Sequence, residues 1–266
     1  MTEGAHLLAA LQLGDSAFPV GGFALSHGLE TAVEEGFVRD LDAVERYLES
    51  VLLGGLAGLD LVALLAAHGH AGELDVAAAW DRALHARKPV RETREASRRA
   101  GRALLRAGAM VGAATSEAGA HLRPVLRPRA DLPGGHLPPG CEEARGGGAI
   151  IERYGALVAS GAAPGMHPVA HGIAAAALGL AGEPAALVFG HAFLLGGLSA
   201  AVRLLPIDHL AVQAALVRLR VRLLEAVARA ARLAALDDPD EMGGFAPTAE
   251  LWAMQHEHGP ARAFAT

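Results

Sequence analysis

Apolar residues recur at every third or fourth position through most of this sequence, and that spacing constrains the fold more than any other feature. One segment shows it with Leu41, Val44, Leu48 and Val51, preceded by Asp40 at the position of a helix N-cap. Such segments are rich in alanine, leucine, arginine and glutamate, which favour helices, and runs typical of strands are absent. The sequence therefore predicts an all-α fold, a single-domain bundle of about ten helices.

Composition limits the classes to which this chain can belong. Hydrophobic residues make up 52% and aromatic residues 4%, so the core is built mainly from Ala, Leu and Val. The net charge of −6 argues against a nucleic-acid-binding protein. The single cysteine, Cys141, excludes an internal disulfide and a zinc site made of cysteines. The first residues lack the basic start and cleavage site of a signal peptide, so we expect a cytoplasmic protein.

Residues 184–202 carry no charged side chain and are long enough to cross a membrane. Pro184, His191, Gly196 and Gly197 interrupt the stretch, and no aromatic belt accompanies it. A helix that is apolar on every side is also found at the centre of a helical bundle. We therefore predict a buried central helix and no membrane partner.

The next helix is predicted to begin at Pro206 and to end near Ala235. Its periodic apolar positions predict an inner stripe that faces the core. The stripe consists of Leu210, Val217, Val221, Leu224 and Val227.

A tight turn precedes a helix near the N-terminus. Pro19 fixes one backbone dihedral angle, and Gly21 and Gly22 permit conformations that other residues avoid. The glycine spacing matches neither the dinucleotide-binding motif nor the P-loop, so a nucleotide site is disfavoured. The turn either reverses the chain or presents a corner to a partner.

Two segments in the middle of the chain differ from the rest. A helix from Pro89 to about Ala114 has a basic face, with Arg91, Arg94, Arg98, Arg102 and Arg106. That face either pairs with its own glutamates in solvent or docks an acidic partner. Residues 118–148 are rich in proline and glycine, which predicts a flexible loop that carries no chemistry.

The chain divides into a helical domain, residues 1–236, and a C-terminal tail, residues 237–266. The tail places Leu251, Trp252 and Met254 on a short helix, where they either pack on the body or anchor a partner. An isolated helix of this length is marginal in water. We predict a tail that is mobile in the free protein, so that its removal leaves the melting temperature nearly unchanged.

His167 and His171 are four residues apart, a spacing that suits a metal ion when both lie on one helix. His167 precedes Pro168, however, and no third ligand is close in the sequence. We therefore predict no stable metal site. A small all-α metal-dependent hydrolase that uses both histidines and a carboxylate is an alternative.

Four stretches occur in a characteristic order along the chain. They are Pro19-Val20-Gly21-Gly22-Phe23 with Ser26, Gly28, Leu29 and Glu30; Arg94-Glu95-x-Ser97 leading to Gly101; His167-Pro168-Val169-Ala170, continuing through Ser199 to Pro206; and Pro247, Met254, His256, Glu257, Arg262 and Phe264. Together they resemble the UreF family of urease accessory proteins.

The resemblance implies an all-helical, non-enzymatic maturation factor without a cofactor of its own. It implies a homodimer that binds a UreD/UreH-like protein and a UreG-like GTPase, enables nickel insertion into apo-urease, and handles nickel only transiently. The partner-binding candidates are Pro19, Gly21, Gly22, Glu30, Arg94, His167, Arg203, Trp252, His256, Glu257 and Arg262. A helical scaffold unrelated to urease is the second alternative.

Overall fold

The computed structural model describes residues 3–15, 17–20, 26–122, 147–257 and 264. These ranges contain eleven α-helices and no strand, which confirms the predicted all-α fold. The helices are α1 (Glu3–Leu13), α2 (Leu29–Glu34), α3 (Leu41–Val51), α4 (Asp60–Gly69), α5 (Leu74–Arg87), α6 (Arg91–Leu122), α7 (Gly147–Ala159), α8 (His167–Ala177), α9 (Gly182–Leu204), α10 (His209–Ala234) and α11 (Pro247–His256).

Small residues bring the helices together at the centre of the bundle. Along α8 every residue from Pro168 to Ala175 is buried. A methyl group added at Gly172 would lie 2.3 Å from the carbonyl oxygen of Leu64 on α4. Only glycine permits that backbone approach, since a Cβ there would overlap the neighbouring helix. The abundance of glycine and alanine therefore reflects close helix packing.

The uncharged segment forms α9, which packs against α4, α8 and α10. Its length and composition would suit a membrane span, but 56% of its most apolar window is buried inside the protein. One face of α9 is buried, including Leu194 and Leu198. This partial burial is typical of a core helix in a bundle.

Two helices continue beyond positions where a helix often ends. After α3, a π-helical turn, Leu52–Leu56, carries the chain through the glycine pair Gly54–Gly55. Helix α6 extends beyond Ala114 to Leu122, so the first five residues of the predicted loop are helical. Residues 123–146 lie outside the described residues, and the prediction of a flexible loop there stays a prediction.

The prediction of the inner face of α10 was wrong. Leu210, Val217, Val221 and Leu224 are each more than half exposed, whereas Val227 is buried as predicted. The side that faces the core carries Val212, Ala215, Leu216, Leu219, Leu223, Ala226, Val227 and Ala230. Both sides of this helix are apolar with helical spacing, so periodicity alone does not distinguish them.

The tail differs from the prediction as well, because α11 packs on α2 and α6. Its buried residues are Ala249, Ala253 and His256. The glycine-rich segment before α11 is also held, since Gly243 N–H donates to Gly58 O and Phe245 N–H donates to Gly54 O. The division into a domain and a partner-binding tail stays a prediction, but this tail is attached to the body.

Candidate functional site

An unusual turn brings Glu30 into the interior. Two successive residues, His27 and Gly28, have φ angles of 52° and 83°. A Cβ at Gly28 would lie 2.7 Å from the carbonyl oxygen of Ala249, so glycine is needed both for the turn and for the approach of α11. The turn starts α2 and places Glu30 in its first turn, with 3% of the residue exposed.

The imidazole ring of His256, on α11, lies between two carboxylates. Nε2 is 2.9 Å from Glu30 Oε2, and Nδ1 is 2.9 Å from Glu92 Oε2. An ionised carboxylate only accepts hydrogen bonds, so both ring nitrogens donate and the ring is an imidazolium. Burial lowers the pKa of His256, but hydrogen bonds to Glu92 and Glu30 outweigh it and hold the pKa above its usual value.

The residue after His256 stabilises the start of α6. Glu257 Oε1 accepts a hydrogen bond of 2.9 Å from the backbone N–H of Glu92, and Oε2 lies 3.3 Å from Arg91. A helix N-terminus has unpaired N–H groups and a positive dipole end, both of which favour a carboxylate. The tail therefore supplies the cap of α6.

Phe264 adds a contact from the end of the chain. Its N–H donates to Glu30 Oε2 at 3.2 Å, and the Arg203 guanidinium lies 4.3 Å from the centroid of its ring. The side chain is buried. We call the set Glu30, Glu92, His256, Glu257 and Phe264 the junction, because it joins the tail to α2 and α6.

The structure brings four of the predicted site residues together, namely Glu30, Arg203, His256 and Glu257. Trp252 lies on α11 beside them, whereas Pro19 is exposed in the N-terminal turn. Arg94 instead donates to the carbonyl oxygen of Lys88, between α5 and α6. Gly21, Gly22 and Arg262 lie outside the described residues.

Glu92 was missed as a site residue. Its place among the arginines of α6 indicated a surface ion pair, but its partner is His256, 164 positions away. Glu95 does form the expected local pair, with Arg98 at 3.0 Å. No spacing of residues in the sequence relates Glu92 to the tail, so this contact is seen only in the folded structure.

The side of α11 next to the junction presents apolar side chains to solvent. Leu251 is 60% exposed and Phe37, after α2, is 66% exposed. The ring of Trp252 contacts those of Phe37 and Tyr47, with centroids 5.3 and 5.7 Å apart. We call Phe37, Leu251, Trp252 and Met254 the tail patch. The ring contacts of Trp252 hold this patch in place, and its other side chains expose apolar surface to solvent.

His167 lies at a separate site, a cavity of about 200 Å³ that His27 and His171 also line. Burial lowers the pKa of His27 to about 4, that of His167 to about 3 and that of His171 to about 4. The three imidazoles are therefore neutral at pH 7, and His171 Nε2 makes no hydrogen bond. In the described ranges no three ligating side chains are arranged to hold a metal ion.

The raised pKa of His256 predicts that the junction weakens at alkaline pH. Its contribution to stability is complete below the unfolded pKa of 6.5 and is lost as pH rises through the higher folded value. The stability difference between the wild type and a His256→Ala variant should therefore shrink as the pH rises above 6.5. Urea unfolding at a series of pH values measures it, and a constant difference would contradict the imidazolium assignment.

Known proteins match this chain over nearly its whole length. The UreF family model matches residues 38–220. A urease accessory protein UreF from Methylobacterium radiotolerans is 34% identical, over 98% of this chain and 96% of that protein. One from Cereibacter sphaeroides is 33% identical, over 98% and 99%. A bifunctional urease accessory protein UreEF from Bordetella bronchiseptica is 29% identical, over 98% of this chain and 52% of its own length.

The class that these matches and the helical fold define is that of the urease accessory proteins. The chain belongs to the UreF family. The family that the sequence resembles is thereby confirmed.

Proposed function

We propose that this chain is a non-enzymatic maturation factor that enables nickel insertion into apo-urease. It acts in the cytoplasm as a homodimer, together with a UreD/UreH-like protein and a UreG-like GTPase. It holds no cofactor of its own and contacts nickel only in passing. Its membership in the UreF family is the observation that carries this proposal.

The relative from Bordetella bronchiseptica supports a role for this chain in a complex of accessory proteins. It is named a bifunctional UreEF protein, and this chain matches about half of it. A UreF-like unit fused to a second accessory unit fits a protein that acts beside other accessory proteins.

The tail patch is the surface that we assign to the UreD/UreH-like partner. Exposed apolar side chains that adjoin one another and include an aromatic anchor are typical of protein interfaces. Here the junction fixes α11, so Leu251 and Met254 are presented without the entropy loss of ordering a free helix. The Pro19 corner stays a candidate for the GTPase, and the basic face of α6 stays a candidate for docking an acidic partner.

The junction has a positioning role in this proposal. Glu30 is buried under the tail and faces His256, so its carboxylate supports α11 from within. A change at Glu30 therefore acts on partner binding through the position of α11.

A charge placed in the tail patch tests the assignment. Leu251→Asp should weaken binding of the UreD/UreH-like protein of the same organism by about 30-fold or more, because truncating an interface anchor costs about 2 kcal/mol or more. Stability should change little, since this side chain faces solvent. Co-purification and isothermal titration measure binding.

The matched control is Leu236→Asp, at an exposed leucine outside the tail patch. We expect it to bind like the wild type. Unchanged binding by Leu251→Asp would place the interface elsewhere. If wild-type protein binds neither accessory partner and its deletion leaves urease active, the proposed function itself is wrong.

A further inference from the structure

The outer side of α10 carries an unbroken row of exposed apolar residues. The seven positions are Leu210, Ala214, Val217, Val221, Leu224, Ala228 and Ala231. Leu210 is 78% exposed and Val221 is 65% exposed. The steps alternate between four and three residues, which is the heptad spacing of helices that pair with another helix. We call these seven residues the α10 row.

The α10 row is not needed for the core of this chain. The opposite side of α10 is buried against α3, α4 and α9 through Leu216, Leu219 and Leu223. In the part of the chain that the structure describes, all seven row residues are classed as exposed. The row extends over about 30 Å at 1.5 Å per residue. A continuous apolar row of that length marks a docking surface rather than scattered exposure.

We propose that the α10 row pairs with the α10 row of a second copy, as two antiparallel helices related by a two-fold axis. The inference rests on the homodimer of the proposed function and names the surface that forms it. In a two-fold interface each contact occurs twice, so the surface must be complementary to itself.

Side-chain sizes satisfy that condition. Antiparallel pairing with Val221 against Leu224 of the partner subunit puts two large residues together at the centre. One step outward, Val217 faces Ala228 of the partner subunit, and at the next step Ala214 faces Ala231 of the partner subunit. A large residue therefore faces a small one next to the centre, and two small residues face each other one step further out, so the row alternates in size without a clash.

Charges beside the row favour the same arrangement. Arg218 and Glu225 flank the row on one side, seven residues apart, which is one heptad. In the antiparallel pair Arg218 lies near Glu225 of the partner subunit, and the two-fold axis repeats the contact. Parallel helices would instead place like charges at the same level.

Arg218 is already held in place. Its Nε donates to Glu45 on α3 at 2.9 Å, which limits the freedom of the guanidinium group. Glu225 similarly contacts Arg222 at 3.1 Å. Preorganised side chains lose less entropy when they add a contact across an interface.

Charges placed in the row test the surface. The wild type is expected at twice the chain mass of 27.2 kDa in light scattering after size exclusion. V221E/L224E should raise the dimer dissociation constant by about 100-fold or more, because charges would be buried without partners. L236E, an equal change at an exposed leucine outside the row, should remain dimeric. Circular dichroism confirms that each variant is folded.

Mixing two single variants tests the orientation. R218E and E225R should each dimerise less well, since each places like charges together. An equimolar mixture should form a heterodimer, because both contacts are then between opposite charges. Failure of the mixture to recover dimer would overturn the antiparallel arrangement.

The remaining outcomes separate the two proposals. A dimer that V221E/L224E leaves intact overturns the α10 surface while the homodimer stands. A monomer at every concentration overturns both. Nickel insertion is measured separately, as urease activation in cells. A wild-type chain that dimerises through the α10 row but does not support activation overturns the proposed function alone.

Discussion

Replacing His256 by alanine is expected to lower the free energy of unfolding by about 3–5 kcal/mol, which is the cost of removing one partner from a buried ionic contact. The imidazolium is the shared partner of Glu30 and Glu92, and the residues at all three positions are at least partly buried. Without it, two carboxylates face each other in the interior with reduced solvation. Chemical denaturation at pH 7 measures the difference.

The control for this change lies one residue away. Gln255 is exposed on the same helix, so Gln255→Ala should change stability by less than about 0.5 kcal/mol. A similarly small effect for His256→Ala would show that the junction does not hold the tail. Glu30→Gln, which removes one of the two charges that face the ring, should have an intermediate effect.

Truncation after Asp240 is expected to have two large effects. It removes α11 and Phe264, and with them the cap of α6 and the buried imidazolium. The melting temperature should fall by about 10 °C, since 1 kcal/mol corresponds to roughly 2–4 °C in a chain of this size. Binding of the UreD/UreH-like protein should be lost with the tail patch. Calorimetry and co-purification measure the two effects.

A shorter truncation separates these effects. Ending the chain after Glu257 keeps the imidazolium, the cap and the tail patch, and removes the Phe264 contacts with Glu30 and Arg203. We expect it to keep most of the stability and the share of partner binding that the tail patch supplies, and any further loss of binding would point to Arg262. An unchanged melting temperature after truncation at Asp240 would instead support the original prediction that the tail contributes nothing to the stability of the fold.

The fold class follows from the sequence because helical periodicity and composition are local properties. Which side of a helix is inside is not local. On α10 the rows headed by Leu216 and by Val217 are both apolar, and only packing against α3, α4 and α9 decides between them. Once the buried row is known from the structure, the remaining apolar row indicates a surface that binds a partner.

The site follows from the sequence only in part. Resemblance singled out Glu30 and His256 separately, but nothing in a single sequence indicates that groups 226 positions apart form a hydrogen bond. The tail was misjudged for a different reason. Its Gly-Gly segment is held by backbone hydrogen bonds to Gly54 and Gly58, and such bonds leave no side-chain signature.

Helix α6 sets a distance within the molecule. It runs for 32 residues from the turn that Glu257 caps to Leu122, which at 1.5 Å per residue is about 48 Å. The junction lies at the Arg91 end of that helix, so the Leu122 end is separated from it by nearly the full length of the helix. The two ends of α6 can therefore change independently, since a contact made at Leu122 does not reach the turn that Glu257 caps.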